Sequence, residues 1–549
     1  MKAAINALGL NLVEKPVRDD FLFSSCILSI VNPKNNQPVF STYGKGITYD
    51  WARVSAWGEM LERIQNLAFY MIVIYPTREE KLHEDSNEFE YYPDERVLSL
   101  SKNSNSSFAK NYQILIGSKL STGNLNKKVI GVPFVDLFKN NIEYLPFRVL
   151  QVIVGSNGMC CGNTRAEALI QGISEVYERY VLKFFYLKPF CPPDIPLKFF
   201  EGTEIHRKII ALTEQYDYKV QIKDCSLGKG YPVIGMLLID LSGDYAFHLG
   251  ADPNPVKALE KCVTEMCQGG RIDIKRINEL YNNLPYNLES DFWKINLSLT
   301  ISAYAGHWPD TVLHKNPSYE FTEFYYRGSG SDEDDLKYLL RLLKKENREI
   351  FIRDNSYLGM HSYYVYIPGM SEITNQPDNA FSMAVLDFDN YLPSLLCLAK
   401  TTQKTRLKMK SSINTYIEKS PNNKFRINEY FAYCRDHPIA KLSDKQFLLL
   451  IDLSLFEGTI KDNFVDSEVS SIPFIKALLK QSANRKLADI FQMLNIPPCF
   501  NCKCCSLTDK CNLSYILDFW ECFKDRMRKN SISQIDLLGI YDLSEKNNN

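Results

Sequence analysis

Up to about residue 380, short apolar runs rich in β-branched side chains alternate with longer segments whose apolar residues recur at helical spacing. Strand-like runs lie at 27–31, 148–154 and 231–240, and each leads through a glycine-containing turn towards a helix. The third run does so by way of a hairpin turn at 242–244 and a further strand at 246–249. This order predicts an α+β fold built from repeated strand–helix units.

Helical periodicity takes over after about residue 380, as in the apolar segment 446–455. The sequence therefore predicts two domains, residues 1–400 and residues 401–549. The second domain is expected to be mostly helical and to carry a cysteine-rich segment at 499–522.

The chain has 549 residues, is 45% hydrophobic and carries a formal net charge of −1. This apolar content suffices for buried cores, and the mixed charges do not favour nucleic acid or a membrane surface as the main partner. Residues 1–15 lack an apolar signal core, and apolar windows such as 69–75 are too short to span a bilayer. We therefore expect a cytoplasmic protein whose 15 cysteines are thiols or metal ligands rather than disulfides.

One pattern, Gly-x5-Ala-x6-Glu-x2-Glu-Arg, occurs at 46–63 and again at 162–179, and its second half recurs more loosely at 258–268. Glutamates three apart lie on one face of a helix, where they repel each other unless a cation holds them. Two such helices, converging, would form a cage of four carboxylates. Because Mg2+ binds through carboxylates and nucleotide phosphates, the pattern favours an ATP–metal site. The alternative, solvated Glu–Arg ion pairs, accounts poorly for three aligned copies.

Six cysteines fall within residues 499–522, a density that chance does not explain. Thiolates suit zinc or an iron–sulfur cluster, and a Cys-x2-Cys pair can bind one metal. The candidate ligands are Cys499, Cys502, Cys504, Cys505 and Cys511. A redox-inert cysteine-rich loop is the alternative, because the spacing matches no standard zinc finger. Which four thiols would bind a metal stays open.

Two other sets of reactive side chains are assigned structural roles. The doublet Cys160-Cys161 lies in a glycine-rich loop, where tight packing explains small side chains better than nucleophilic catalysis does. The seven histidines, including His248 and His307, lie apart without metal-ligand spacing, so we interpret them as structural or surface residues.

The segment around Gly162-Asn163-Thr164 resembles the central signature of the YcaO superfamily. The resemblance is carried, in order, by residues 44–46, 58–63, 156–168, 172–181, 259–268 and 368–371. It covers roughly the first 400 residues, which is far more than one short motif could support. The implied fold is a YcaO-type ATP-binding domain, and the sequence agrees in having no P-loop motif.

The resemblance also implies roles for individual residues. Those expected around Mg2+ are Glu59, Glu62, Glu175, Glu178 and Glu265. Asn163 and Glu167 are expected to face the nucleoside, and Arg179 the phosphates. Lys261 stands where the family commonly has arginine, which keeps the charge but loses bidentate phosphate geometry. A helix that opens at 162–164 is compatible with these roles, because its free N–H groups can face a phosphate.

The activity implied by the resemblance is ATP-driven chemistry on a peptide backbone. A nucleophile adds to an amide carbonyl, ATP phosphorylates the resulting oxygen, and phosphate then leaves. A Cys, Ser or Thr side chain as nucleophile gives an azoline, whereas a sulfide donor gives a thioamide.

Three hypotheses follow. The layout resembles the long accessory factors of ribosomal-protein methylthiolation, which implies a radical methylthiotransferase or a ribosomal protein as partner. The alternatives are a cyclodehydratase of peptide natural products and a nucleotide-binding adaptor without turnover. Azoline-forming members commonly end in a proline-rich tail, and residues 541–549 contain no proline, which favours the accessory factor. A homodimer is left open.

Overall fold

The computed structural model describes most of the chain. The described residues are 2–17, 22–68, 92–99, 107–116, 128–188, 190–266, 308–372, 401–419, 437–455 and 511–541, together with 296–297, 300, 391, 425, 427 and 507–509. In these residues helices and strands are mixed, which confirms the predicted α+β class.

Strands of the described residues form three sheets, and all their pairings are antiparallel. The first has the order β1 (Leu12–Val17), β2 (Ser24–Val31), β3 (Pro38–Gly46). The largest joins β4 (Arg96–Ser99), β5 (Lys128–Asp136), β11 (Phe351–Asp354), β12 (His361–Tyr366) and β7 (Met159–Gly162), with β6 (Asn141–Pro146) also on β5. The remaining sheet has the order β8 (Lys219–Asp224), β9 (Val233–Ile239), β10 (Tyr245–Ala251).

The described residues form eleven α-helices. They are α1 (Lys2–Asn6), α2 (Tyr49–Gln65), α3 (Ser107–Ile116), α4 (Phe147–Ile153), α5 (Arg165–Leu187), α6 (Glu204–Tyr216), α7 (Pro255–Met266), α8 (Asp332–Lys345), α9 (Gln403–Lys419), α10 (Asp444–Leu455) and α11 (Asn512–Lys529). None of the described helices combines the length and apolar character that crossing a membrane requires.

Three strand–helix pairs, β3–α2, β7–α5 and β10–α7, repeat one arrangement in which a glycine of the strand touches the following helix. A Cβ at Gly46 would lie 2.7 Å from the backbone nitrogen of Ala52, and one at Gly162 would lie 2.7 Å from that of Ala168. Gly250 makes the same kind of contact, at 2.3 Å, with the backbone of α7. The Gly-x5-Ala spacing is therefore a packing requirement, and the predicted repeated strand–helix units are confirmed.

Gly162→Ala is expected to lower the free energy of unfolding by about 1–3 kcal/mol, because the new methyl group must displace backbone rather than a flexible side chain. Gly58→Ala is the control. Gly58 lies within α2 and a Cβ there meets nothing within 4 Å, so the change should be neutral or stabilising by up to about 1 kcal/mol through helix propensity. Urea unfolding of both variants measures the difference, and equal stabilities would contradict the packing argument.

The predicted strand at 148–154 is wrong. The structure has helix α4 there, and the strand of this unit is β7, inside the predicted glycine loop. Phe147, Leu150 and Ile153 recur at helical spacing and are buried. A short run of apolar β-branched residues does not distinguish a buried helix from a strand, and here the helix is formed. The strands predicted at 27–31, 231–240 and 246–249 correspond to β2, β9 and β10.

Helices α2, α5 and α7 each belong to a different hydrophobic core. Helix α2 buries Met60 with the first sheet, α5 buries Val176 and Tyr177 in a second core, and α7 buries Leu259 and Cys262 in a third. Since each helix turns its apolar face to its own core, the polar faces that carry the glutamates are left to meet where the cores adjoin.

The described residues after 400 form helices α9, α10 and α11 and short 3-10 turns. Helix α11 packs into the same core as α2, where Trp520, Phe523 and Met527 are fully buried. Asn32 donates to the Asn512 side chain at 3.1 Å, across the same contact. The domain boundary near residue 400 stays a prediction, and part of the predicted second domain shares a core with the first.

Candidate functional site

Helix α2 holds the first glutamate pair through one arginine. The Glu59 carboxylate accepts hydrogen bonds from the backbone nitrogen of Tyr43 at 3.2 Å and from Arg63 at 3.3 Å. Arg63 also pairs with Glu62 at 3.1 Å. Arg63 therefore bridges both carboxylates, and the first motif brings its Glu-x2-Glu-Arg residues together as its spacing predicts.

Helix α5 begins with a closed network of side-chain and backbone hydrogen bonds. Thr164 caps the helix by accepting from the backbone nitrogen of Glu167 at 3.1 Å. The Glu167 carboxylate turns back and accepts from the backbone nitrogen of Asn163 at 2.7 Å and from its side-chain amide at 3.3 Å. Asn163 and Glu167 therefore lie together at the helix N-terminus, and their orientation towards a nucleoside stays a prediction.

Helix α7 contributes one carboxylate and one ammonium group. Glu265 forms an ion pair with Lys45 of β3. Its other oxygen, Oε2, is buried and has no hydrogen-bond partner in the described structure. Lys261 donates to the carbonyl of Ala251 at 2.8 Å and to Asp252 at 3.2 Å. The predicted phosphate-side lysine is thus held against the end of β10.

The glutamates of the three helices act on one another electrostatically. Burial, with repulsion from Glu175 and Glu59, raises the pKa of Glu62 to about 8, although Arg63 opposes the shift. Burial also raises the pKa of Glu178 to about 7, with Glu265 and Glu175 adding to the rise and Arg179 opposing it. The pKa of Glu175 is raised by burial and by Glu265. The structure therefore brings together the glutamates that the sequence selected.

Two neighbours of Glu265, Lys45 and His248, were not predicted as site residues from the sequence. Burial raises the pKa of Glu265, but Lys45 and then His248 and Arg179 reverse the shift and bring it below the ordinary value. Burial lowers the pKa of His248 to about 4. His248 was interpreted as an ordinary structural or surface histidine, whereas the structure places it at the glutamate cluster. Its position on a predicted strand directly before the third motif was the signal that could have found it.

Buried polar side chains hold the end of α2 against β12. Asn66, which follows the helix, donates to the Glu62 carbonyl at 3.0 Å and to Ser362 at 3.0 Å. Ser362 in turn donates to the carbonyl of Cys160 at 3.1 Å, on the strand that leads into α5. Asn355 completes the network by donating to Asn66 at 2.8 Å. One strand, β12, therefore fixes α2 and α5 relative to each other.

Cys160 and Cys161 have the structural role that the sequence suggested. Cys160 is fully buried, and burial raises its pKa well above the ordinary value. Burial and the nearby Glu62 raise the pKa of Cys161 to about 12. Both side chains are therefore neutral thiols at physiological pH, which disfavours nucleophilic catalysis.

Glu62→Gln is expected to make the ligand-free protein more stable at pH 8 by on the order of 2 kcal/mol. The folded state raises the pKa of this carboxyl to about 8, whereas the unfolded chain ionises near its ordinary value. The wild type should therefore lose stability as pH rises from about 4.5 to about 8, and the glutamine variant should lose less. Urea unfolding at pH 5 and pH 8 in a chelator measures this, and parallel losses in both proteins would contradict it.

The carboxylates fit a magnesium ion that arrives with a nucleotide. Among the described residues, no three His, Cys, Asp or Glu side chains are placed to hold a metal ion by themselves. Mg2+ in nucleotide sites commonly takes one or two carboxylates and completes its shell with phosphate oxygens and water. The unpartnered Oε2 of Glu265 and the repulsion around Glu62 and Glu178 leave this cluster short of positive charge. Bound there, the ion would neutralise carboxylates and phosphates together.

Most of the cysteine segment lies outside the described residues, including the candidate ligands Cys499, Cys502, Cys504 and Cys505. Cys511 is described, and its sulfur caps α11 by accepting from the backbone nitrogen of Leu513 at 3.4 Å. Cys522 lies exposed on the same helix. A zinc or iron–sulfur site in this segment stays a prediction.

Comparison with known proteins identifies the class. The sequence profile described as YcaO cyclodehydratase, ATP- and Mg2+-binding, matches residues 43–371, which is more than half of the chain. The match includes all five glutamates, the pairs β7–α5 and β10–α7, and α2 with the end of β3. The chain therefore belongs to the YcaO family, as the resemblance predicted, and residues 43–371 match a domain that binds ATP and Mg2+.

Two curated relatives match over part of their length. The ribosomal protein S12 methylthiotransferase accessory factor YcaO of Escherichia coli K12 is 30% identical over 349 residues, which are 60% of this chain and 57% of that protein. An uncharacterized protein of Haemophilus influenzae is 26% identical over 389 residues, which are 67% of this chain and 63% of that protein. The chain thus matches less than two thirds of either relative.

Solved structures with similarity to the chain include two nucleotide or substrate complexes. A heterocyclase in complex with substrate and cofactor is 16% identical with a TM-score of 0.44, covering 66% of this chain and 50% of that one. YcaO from Methanopyrus kandleri bound with AMPPCP and Mg2+ is 17% identical with a TM-score of 0.41, covering 68% and 89%.

Proposed function

We propose that the chain binds ATP with Mg2+ at the glutamate cluster of α2, α5 and α7 and uses it to activate a backbone amide of a peptide or protein. The observation that supports this most is the charge arrangement. Carboxylates on three helices raise the pKa values of Glu62, Glu175 and Glu178, while Lys45, Arg63 and Arg179 lie among them. Such a cluster is costly unless it binds a ligand that carries both a cation and anionic oxygens.

The proposed reaction needs positioning and charge rather than a covalent group of the protein. A nucleophile adds to the amide carbonyl, the resulting oxyanion takes the terminal phosphoryl group of ATP, and ADP leaves. The C–O bond then breaks with release of phosphate. Mg2+ would neutralise the phosphate charge. Arg179 and Lys261 are proposed to orient the phosphates, and Asn163 and Glu167 the nucleoside, while the network of Asn66 and Ser362 keeps α2 and α5 in place.

We further propose that the biological role is that of an accessory factor in the methylthiolation of a ribosomal protein. The support is the similarity to the Escherichia coli relative that bears this description. The partner would be a radical methylthiotransferase or its ribosomal substrate. A cytoplasmic location and a homodimer are compatible with this role.

Release of phosphate from ATP in the presence of Mg2+ tests the proposal. The assay compares the chain alone, the chain with a ribosomal S12 peptide, and the chain with both the peptide and the methylthiotransferase. Phosphate release that depends on the peptide or the enzyme supports ATP-driven activation. ATP binding without release in any mixture would overturn it in favour of an adaptor without turnover. A peptide product lighter by one water would instead identify a cyclodehydratase.

A further inference from the structure

An open cleft lies beside the glutamate cluster and takes no part in the ATP chemistry described above. It lies between the β8–β9 connection, the start of α7 and the segment 321–326. Its aromatic lining consists of Tyr231, Phe321, Phe324, Tyr325, Tyr326 and Tyr338. Its acidic lining consists of Asp224, Asp252 and Glu323. No lysine or arginine from the described part of the chain lines it.

The tyrosine hydroxyl groups at the cleft already donate hydrogen bonds within the protein. The rings, rather than the hydroxyl groups, are therefore what these residues offer to a ligand. Tyr325 donates to the carbonyl of Gly228 at 3.0 Å, and Tyr338 donates to the carbonyl of Gly230 at 2.7 Å. Tyr338 also stacks on Tyr326, with ring centroids 4.1 Å apart. Faces of aromatic rings attract cations through their quadrupole, and the attraction grows when the cation is desolvated.

Asp224 places a buried carboxylate at this cleft, and no cation among the described residues pairs with it. The residue is 6% exposed, and its carboxylate accepts from the backbone nitrogen and hydroxyl of Ser226 at 3.0 and 3.1 Å. Lys223, its neighbour in the chain, pairs instead with Asp194 at 2.8 Å. Within the described residues no ion pair to Asp224 is formed, and burial raises its pKa. A buried carboxylate is costly until a positive charge reaches it.

The position of the cleft indicates that the cation would belong to a side chain of a larger molecule. Asp252 lines the cleft and also accepts the hydrogen bond of Lys261, whose charge acts on Glu178 of the glutamate cluster. The cleft and the ATP site therefore share a border. At the mouth of the cleft, Tyr325 is 63% exposed, so a side chain of a larger molecule can enter from solvent.

We propose that this cleft binds a lysine or arginine side chain of the peptide or protein on which the ATP site acts. The proposal rests on the proposed function for the identity of the larger molecule, and on the rings and Asp224 for the charge of the side chain. It places a recognition site for a basic residue next to the reacting amide.

Binding of two small probes to the full chain tests the charge requirement. The probes are N-acetyl-arginine amide and N-acetyl-norleucine amide, which differ in charge at similar length, and binding is followed by saturation-transfer NMR titration. We expect the arginine probe to bind at least about tenfold more tightly, because only it supplies a cation to Asp224 and the rings. Equal affinities for the two probes would overturn the proposal.

Three variants locate the binding. Asp224→Asn keeps an oxygen that accepts from the backbone nitrogen of Ser226, and its amide nitrogen can donate to the Ser226 hydroxyl. This change should lower the affinity for the arginine probe by about tenfold. Tyr325→Leu removes one ring and should lower it by about threefold. Glu320→Gln removes an exposed carboxylate of the neighbouring segment that lies outside the cleft, and it should change nothing. Unchanged affinity in Asp224→Asn would contradict the proposal.

ATP calorimetry on the same proteins separates this proposal from the proposed function. Asp224→Asn should bind ATP with Mg2+ as the wild type does. A chain that binds the arginine probe but not ATP would retain the basic-residue cleft and overturn the ATP site. A chain that binds ATP but prefers neither probe would retain the ATP site and overturn the basic-residue cleft.

Discussion

Glu178→Gln is expected to lower the affinity for ATP with Mg2+ by more than about tenfold, beyond the roughly 1 kcal/mol that an exposed ion pair contributes. Glu178 lies where Glu175, Glu265, Arg179 and Lys261 all act on its ionisation. Glutamine keeps the size of the side chain but removes the negative charge that a magnesium ion would bind. Glu175→Gln should have the same effect, since its pKa responds to the same cluster.

The effect should depend on the metal. In a chelator, without Mg2+, the glutamine variants are expected to bind ATP as well as the wild type or better, because a carboxylate that repels the triphosphate has been removed. Glu214→Gln on the exposed surface of α6 is the matched control, a glutamate on a helix outside the cluster. Isothermal calorimetry with and without Mg2+ measures all four proteins. Equal affinity in wild type and both variants would refute the assignment of these glutamates.

The helices of the site could be predicted because the same short segments contain both the helical periodicity and the candidate site residues. Apolar positions at helical spacing and a threonine cap mark α5, and the side chain of Thr164 accepts from Glu167 as a capping residue does. Glu175 and Glu178 then fall on one face by geometry alone. The repeated Gly-x5-Ala could be seen in the sequence, but its cause, the contact of Gly162 with Ala168, appears only in the structure.

Contacts between distant elements could not be predicted. Lys45 reaches Glu265 from another strand–helix unit, and His248 joins them only because β10 lies beside α7. Asn66 and Ser362 are almost 300 residues apart in the chain, and no local pattern distinguishes them from other polar residues. The error at 148–154 has a related origin. Burial of α4 on several sides removes the alternation of polar and apolar residues that would have identified a helix.

Trp520→Ala is expected to lower the free energy of unfolding by about 3–5 kcal/mol, although Trp520 is far along the chain from the glutamate motifs. Its side chain is fully buried in the core that also contains Met60 and Ile64 of α2. Removing the indole leaves a cavity that rigid neighbours fill only in part. Asp525→Ala, an exposed position on the same helix, is the control and should change stability by less than about 0.5 kcal/mol. Urea unfolding compares the two, and similar values would show that α11 contributes little to this core.

A chain ending at residue 400 extends the same test to the domain boundary predicted from sequence. If residues 401–549 form a separate domain, the shortened chain should stay soluble and bind ATP as the full chain does. The burial of Trp520, Phe523 and Met527 against the first core leads us to expect the opposite, because without α11 that core is exposed to water beside the helix that carries Glu59 and Glu62. We therefore expect low soluble yield and weaker ATP binding. A stable fragment that binds ATP with wild-type affinity would support two separate domains. It would also show that α11 contributes little to the stability of the first domain.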